Sequence, residues 1–248
     1  MARIGIFDSG SGGLSVLREI RKILPDERYI YWSDNAHCPY GEKSPQYIID
    51  RARVISDFML SKGVSAVVVA CNTATAAAIS TLRAEYSIPF VGMEPAVKPA
   101  ATGTKSGVVG VLATAGTLKA PKYLDTRGKY GSHIRIEEQV GRGFVELVEN
   151  LELEGPHAEA VVRSSLEPLL AAGADTIVLG CTHYPFLLPL MKRMAPSGVN
   201  FIDPAPAVAK RLKDVLSQNG TDLSDSDPGV ELYASGSDES LKKLFSMI

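Results

Sequence analysis

One pattern, met twice, limits what this chain can fold into more than any other. In Lys62-Gly63-Val64-Ser65-Ala66-Val67-Val68-Val69-Ala70-Cys71-Asn72-Thr73, a helix-ending glycine leads into an apolar strand, a small residue, a cysteine and two polar residues. The same order returns in Ala172-Gly173-Ala174-Asp175-Thr176-Ile177-Val178-Leu179-Gly180-Cys181-Thr182-His183. The two cysteines stand 110 residues apart. A weaker echo pairs Gly5-Ile6-Phe7-Asp8-Ser9 with Gly110-Val111-Leu112-Ala113-Thr114, 105 residues on. Two matches at nearly one offset indicate a duplication, and therefore two similar lobes.

Short β-branched runs alternate with longer helical stretches along the whole chain, the signature of parallel α/β architecture. Strands are expected at 3–7, 29–32, 67–70, 89–92, 107–112, 176–179 and 231–234. Helices are expected at 14–24, 46–62, 73–85, 119–129, 143–151, 156–172, 186–195, 207–219 and 239–245, and the Asp-rich stretch 219–229 reads as a surface loop. A chain of 248 residues with 45% hydrophobic side chains can bury a real core and is not disordered. Its net charge of −2 argues against nucleic acid or an anionic membrane as main partner. A small anionic substrate needs only local donors and stays open. No apolar run reaches membrane-spanning length, and the first residues lack a secretory pattern. The three cysteines form no C-x-x-C pair, so reduced thiols in a cytoplasmic protein are expected.

Sites in open parallel sheets form at the carboxyl ends of strands, where both Cys71 and Cys181 are expected. A cysteine there often merely packs. A packing cysteine, however, needs no polar doublet after it, and still less the same arrangement twice. If each thiol precedes a helix N-terminus, exposed N–H groups should lower its pKa and could also hold a substrate carboxylate, with help from Asn72, Thr73 and Thr182. Two facing thiols suit inversion of a chiral carbon: a base removes the proton from one face while an acid delivers one to the other. Asp8, closing the first strand, is expected to assist Cys71, and His183 to assist Cys181.

The loop Asp8-Ser9-Gly10-Ser11-Gly12-Gly13 fits neither nucleotide pattern. Ser15 stands where a dinucleotide loop needs glycine, and no lysine follows for a phosphate loop. The loop is expected instead to bring backbone N–H groups against a carboxylate. Cys38, Cys71, Cys181, His37 and His183 show no zinc-type ligand spacing, and no lysine context points to a pyridoxal cofactor. No metal and no cofactor is expected.

Phe7-Asp8-Ser9-Gly10-Ser11-Gly12-Gly13-Leu14, Pro39-Tyr40-Gly41, Ala70-Cys71-Asn72-Thr73-Ala74 and Gly180-Cys181-Thr182-His183-Tyr184-Pro185 together resemble the glutamate racemases of the aspartate/glutamate racemase superfamily. The likeness runs in order from residue 4 to about residue 205. It implies a cofactor-independent enzyme of the bacterial cytoplasm that supplies D-glutamate for peptidoglycan. It also implies Cys71 and Cys181 as the proton donors and acceptors, and Asp8, Ser9, Tyr40, Gly41, Asn72, Thr73, Thr182 and His183 as substrate-binding residues. Asp34 and Glu149 match further polar positions, whereas position 38 usually carries no cysteine in the family, and Cys38 reads as incidental. The implied fold is two three-layer α/β lobes with mainly parallel sheets, related by a pseudo-twofold axis around the active-site cleft. Residues 1–94 plus 207–248 would form the Cys71 lobe and 95–206 the Cys181 lobe, in a homodimer. The competing readings are a racemase acting on aspartate or another two-cysteine racemase of the same superfamily, and a binding protein that holds amino acids without turnover.

Overall fold

The computed structural model describes residues 3–94, 96–220 and 228–248. Most of the expected 219–229 loop therefore lies outside the described residues. The first sheet takes β1 (Arg3–Asp8), β2 (Arg28–Ser33), β3 (Ala66–Val69) and β4 (Phe90–Gly92), joined by helices α1 (Leu14–Ile23), α2 (Pro45–Ser61) and α3 (Asn72–Glu85). Then follow α4 (Val97–Gly103), β5 (Val108–Ala113), α5 (Ala115–Leu118), α6 (Pro121–Tyr130), β6 (Arg135–Val140), α7 (Phe144–Glu149), α8 (Pro156–Ala171) and β7 (Thr176–Gly180). The chain ends with α9 (Leu188–Met194), β8 (Asn200–Ile202), α10 (Ala205–Gln218), β9 (Gly229–Ala234) and α11 (Glu239–Phe245).

Two parallel sheets result, in the orders β4-β3-β1-β2-β9 and β6-β5-β7-β8. Read from β4 and from β8, the two share one order, with β1 matching β5 and β3 matching β7, which is the topology the internal echo requires. The C-terminal strand β9 extends the first sheet beside β2, and α10 packs on α1. The fold is thus mixed α/β with two parallel sheets, as expected.

The central strands are apolar because both of their faces are covered. Every residue of β3 and β7 is buried. On α1, Leu14, Val16, Leu17 and Ile20 turn one stripe to the core while Arg21 and Lys22 stay on the outside near its C-terminus. The duplicated glycines do one job in both halves. Gly63 and Gly173 have φ of +72° and +87°, ending α2 and α8 in the left-handed region that glycine enters without strain. One apolar cluster runs through both halves, from Ile4, Leu17 and Val68 to Leu179, Leu187 and Leu212.

Four elements escape the sequence reading: α4, α5, β6 and β8. β6 is an edge strand of sequence Arg-Ile-Glu-Glu-Gln-Val, which carries no apolar run. β8 has three residues, too short for a period to register. A further correction concerns Cys181. The chain after it makes a turn and a 3-10 segment, Tyr184–Leu187, before α9 starts at Leu188, so no α-helix opens at this thiol. At Cys71 the expectation holds, since this residue is the N-cap of α3.

Candidate active site between the two thiols

β1 and β3 deliver Asp8 and Cys71 to one carboxyl edge, and β7 delivers Cys181 to the equivalent edge of the other sheet. Cys71 accepts a hydrogen bond from the Ala74 N–H at 3.4 Å, as an N-cap does. Its own Sγ–H donates to Ser9 Oγ at 3.7 Å, and that hydroxyl donates onward to Asp8 Oδ1 at 3.4 Å. Asp8 therefore reaches the thiol through Ser9. Its carboxylate also accepts from the Ser9 N–H and the Gly13 N–H, each at 2.7 Å, and from Thr182 Oγ1 at 3.2 Å across the halves.

The second thiol has different company. Cys181 Sγ lies 3.7 Å from His183 Nδ1, and His183 Nε2 lies 2.7 Å from Glu149 Oε1. Glu149 in turn accepts from the Ser11 N–H at 2.6 Å and from Ser11 Oγ at 3.1 Å. The glycine-rich loop does bring N–H groups to carboxylates, but those carboxylates are the protein's own Asp8 and Glu149. The close approach explains the composition of the loop: a Cβ on Gly12 would overlap the His183 ring.

Electrostatics also separate the two thiols. Burial raises the Cys71 thiol above its ordinary pKa, and the neighbouring Asp8 adds to this. The expected lowering at a helix N-terminus is thus overturned at Cys71, because desolvation outweighs one N–H contact. Burial likewise pushes the Asp8 carboxyl up, against the pull of His183 and of the two backbone N–H groups. For His183, burial alone would push the imidazole down. Its hydrogen bonds to Cys181 and Glu149 outweigh that and hold it well above its ordinary value. Burial raises Glu149 too, but the bonds from His183 and Ser11 prevail and its carboxyl sits low.

Both sulfurs line one narrow cavity, about 280 Å3 with the solvent at its mouth included, together with Ser9, Tyr40, Gly41, Asn72, Thr73, Thr182 and His183. Of the residues expected to be catalytic or substrate-binding only Asp8 is absent from the wall, fully buried. The space is narrow enough to admit about one water molecule. Within it Asn72 is the anomaly: both polar atoms of its buried amide have no partner. A buried amide left unpaired is costly unless a ligand completes it. Thr73 Oγ1 meets Thr114 Oγ1 at 2.9 Å, and Thr114 donates to Thr117 Oγ1 at 3.0 Å. Thr114 escapes the sequence reading as a site residue, although the internal echo sets it opposite Ser9.

Asp34 lies outside the cavity wall. Arg51 grips it with two hydrogen bonds of 2.9 and 2.7 Å, and Tyr40 donates to it at 2.5 Å. Burial favours its neutral form, but the Arg51 and Tyr40 bonds prevail and keep it ionised. Its bond from Tyr40 fixes where that hydroxyl points. Cys38 stands beside Glu149, lining a neighbouring surface pocket.

Residues 4–212 match the family model for Asp/Glu/Hydantoin racemase. The glutamate racemase of Stutzerimonas stutzeri (strain A1501) is 47% identical over 248 residues, covering 100% of this chain and 94% of its own. The crystal structure of Escherichia coli glutamate racemase, in complex with L-glutamate and the activator UDP-MurNAc-ala, is 34% identical with a TM-score of 0.90, covering 99% of this chain and 93% of its own. That of the Francisella tularensis subsp. tularensis SCHU S4 enzyme, in complex with D-glutamate, is 28% identical with a TM-score of 0.83, covering 99% and 92%. With a match over most of its length and a relative this similar from end to end, the chain belongs to the Asp/Glu/hydantoin racemase family.

Proposed function

We propose that this protein interconverts L- and D-glutamate by two-base proton transfer, and so supplies D-glutamate for peptidoglycan. The observation that carries the reading is the single narrow cavity with a thiol on each side and an unpaired amide in its wall. Similar proteins captured with L-glutamate in one case and D-glutamate in another support the substrate.

Cys71 and Cys181 take opposite roles in each direction. One, as thiolate, removes the α-proton from its face, and the other, as thiol, delivers a proton to the opposite face of the carbanion-like centre. The obstacle is the weak acidity of an α-proton, each pKa unit of mismatch costing about 1.4 kcal/mol. A raised thiol pKa narrows that gap, because a thiolate formed from Cys71 is then a stronger base. A substrate ammonium entering beside Asp8 offsets the charge that otherwise opposes this thiolate. Ser9, Asn72, Thr73 and Thr182 supply donors for the carboxylates, with Tyr40 and Gly41 shaping the wall. Asp8 holds the Cys71 side and His183 the Cys181 side. A cavity this small excludes bulk water, which strengthens each of these interactions.

Admitting a five-carbon substrate requires the halves to part. We assign 1–94 plus 207–248 to the moving body with Cys71 and 95–206 to that with Cys181, a division supported by β9 pairing with β2 and α10 packing on α1. Assembly as a homodimer and a cytoplasmic location belong to the same proposal; no helix among the described residues is long and apolar enough to cross a membrane. Circular dichroism of purified protein given L-glutamate should decay to zero as the racemate forms, and L-aspartate should stay optically unchanged. Faster loss of the aspartate signal would favour the aspartate reading, and no loss with either would favour a binding protein.

A further inference from the structure

Cys38, Glu149 and His183 come from three distant segments, so their spacing in sequence discloses nothing. Folding brings a thiol sulfur, a carboxylate oxygen and an imidazole nitrogen within 4.8 Å of one another, the one such grouping among the described residues. His183 is buried and the other two are half-buried. Cys38 and Glu149 face a surface pocket of about 720 Å3, solvent at its mouth included, also walled by Asn35, Pro39 and Ser237. An ion can therefore arrive from that side without passing between the catalytic thiols.

We propose that Cys38, Glu149 and His183 bind a single Zn2+-like divalent ion, and that this ion shuts the enzyme by clipping its two halves together. The donors are one sulfur, one nitrogen and one oxygen, the mixture that borderline-soft Zn2+ takes in tetrahedral sites, with the fourth position left for water. Bond lengths of about 2.0–2.3 Å place neighbouring ligand atoms about 3.2–3.8 Å apart. The Nε2–Oε1 contact, now 2.7 Å, needs to open only slightly, while the sulfur moves in. On binding, the Cys38 sulfur and Nε2 give up to solvent the protons they carry, and the ion takes those lone pairs. Nδ1 stays turned to Cys181.

The clip follows from where the ligands sit. Cys38 belongs to the loop after β2 of the first sheet, whereas Glu149 ends α7 and His183 follows β7 of the second. An ion bonded to all three fastens the cavity in its narrow form, and a cavity that admits about one water cannot exchange an amino acid.

Co2+ is the probe for the site itself, since a Co2+–thiolate bond absorbs strongly in the near ultraviolet, whatever the enzyme's activity. Titration of the purified protein should give that band and saturate at one ion per chain. Micromolar Zn2+ should slow glutamate racemisation by about tenfold or more, with EDTA restoring the rate. Cys38→Ser should keep the metal-free rate, lose the Co2+ band and escape Zn2+. Inhibition unchanged in Cys38→Ser would overturn the site, because the ion would then sit on Cys71 or Cys181. A saturating Co2+ band with no loss of rate under Zn2+ would overturn the clip. The clip alone rests on the racemase reading; a metal-free protein inert toward glutamate with the Co2+ band intact would fault that reading and not the site.

Discussion

The strands ending in Cys71 and Cys181 hold the same place in sheets of the same order, yet their surroundings have diverged. Cys71 caps an α-helix and meets Asp8 through the Ser9 hydroxyl. Cys181 precedes a tight turn and faces an imidazole that is braced by Glu149. One side is biased toward negative charge and the other toward positive. Duplication explains the matched positions. Under the proposed mechanism one sulfur accepts a proton while the other gives one, which unlike partners suit. The braces also cross between the halves, since Thr182 bonds Asp8 and Glu149 bonds Ser11. Each half thereby sets the chemistry of the other.

The largest expected effect tests whether the two thiols are equivalent in need. Cys71→Ser and Cys181→Ser should each lower kcat for glutamate racemisation by about a thousandfold, with the circular dichroism of the fold unchanged. Near-normal turnover in either variant would mean that one thiol serves both faces. Next in size are the assisting groups. Asp8→Asn and His183→Asn should each cost about a hundredfold in kcat/KM. They should also differ in kind: with α-deuterated substrate, the isotope effect should rise for one enantiomer in the first variant and for the other enantiomer in the second. A rise for the same enantiomer in both would break the pairing of each group with its own thiol.

The smallest effect concerns the Glu149 brace. Glu149→Gln should reduce turnover by about tenfold and cost about 2 kcal/mol of stability, in the range of hydrogen bonds to charged groups. The pH dependence has a definite sign. Raising the His183 pKa in the folded state adds stability that is complete below about 6.5 and fades as pH climbs through the raised value. Lowering the Glu149 pKa adds stability that is complete above about 4.5 and fades as pH falls through the lowered value. The lead of wild type over Glu149→Gln in urea unfolding should therefore peak between about pH 4.5 and 6.5. A lead that grows steadily above pH 7 would contradict the brace.

Much of the molecule is legible in its residues. The apolar strands, the glycine stops at Gly63 and Gly173 and the paired cysteines all announce themselves locally. The thiols and the polar residues that follow them can be named because they lie at strand ends, whereas Ser9, Tyr40 and Gly41 are named through the family resemblance. What stays hidden depends on distance or burial. Glu149 reaches His183 and Ser11 only after folding, with no local pattern to mark it. The direction of the Cys71 shift runs against the sequence expectation because a helix N-terminus is visible in sequence and desolvation is not. β6 and β8 escape because edge strands bury little, and so carry little apolar signal. Thr114 is in view, set opposite Ser9 by the repeat, but its polar role emerges only when Thr73 comes within 2.9 Å.

Isotope flow in a single turnover speaks most directly to two-sided proton transfer. Enzyme equilibrated in D2O and given protiated L-glutamate should release D-glutamate carrying deuterium at Cα, while recovered L-glutamate keeps its hydrogen. A first-turnover product that retains the substrate's own α-hydrogen would mean that one group removes and returns the same proton, and the opposed thiols would lose their roles.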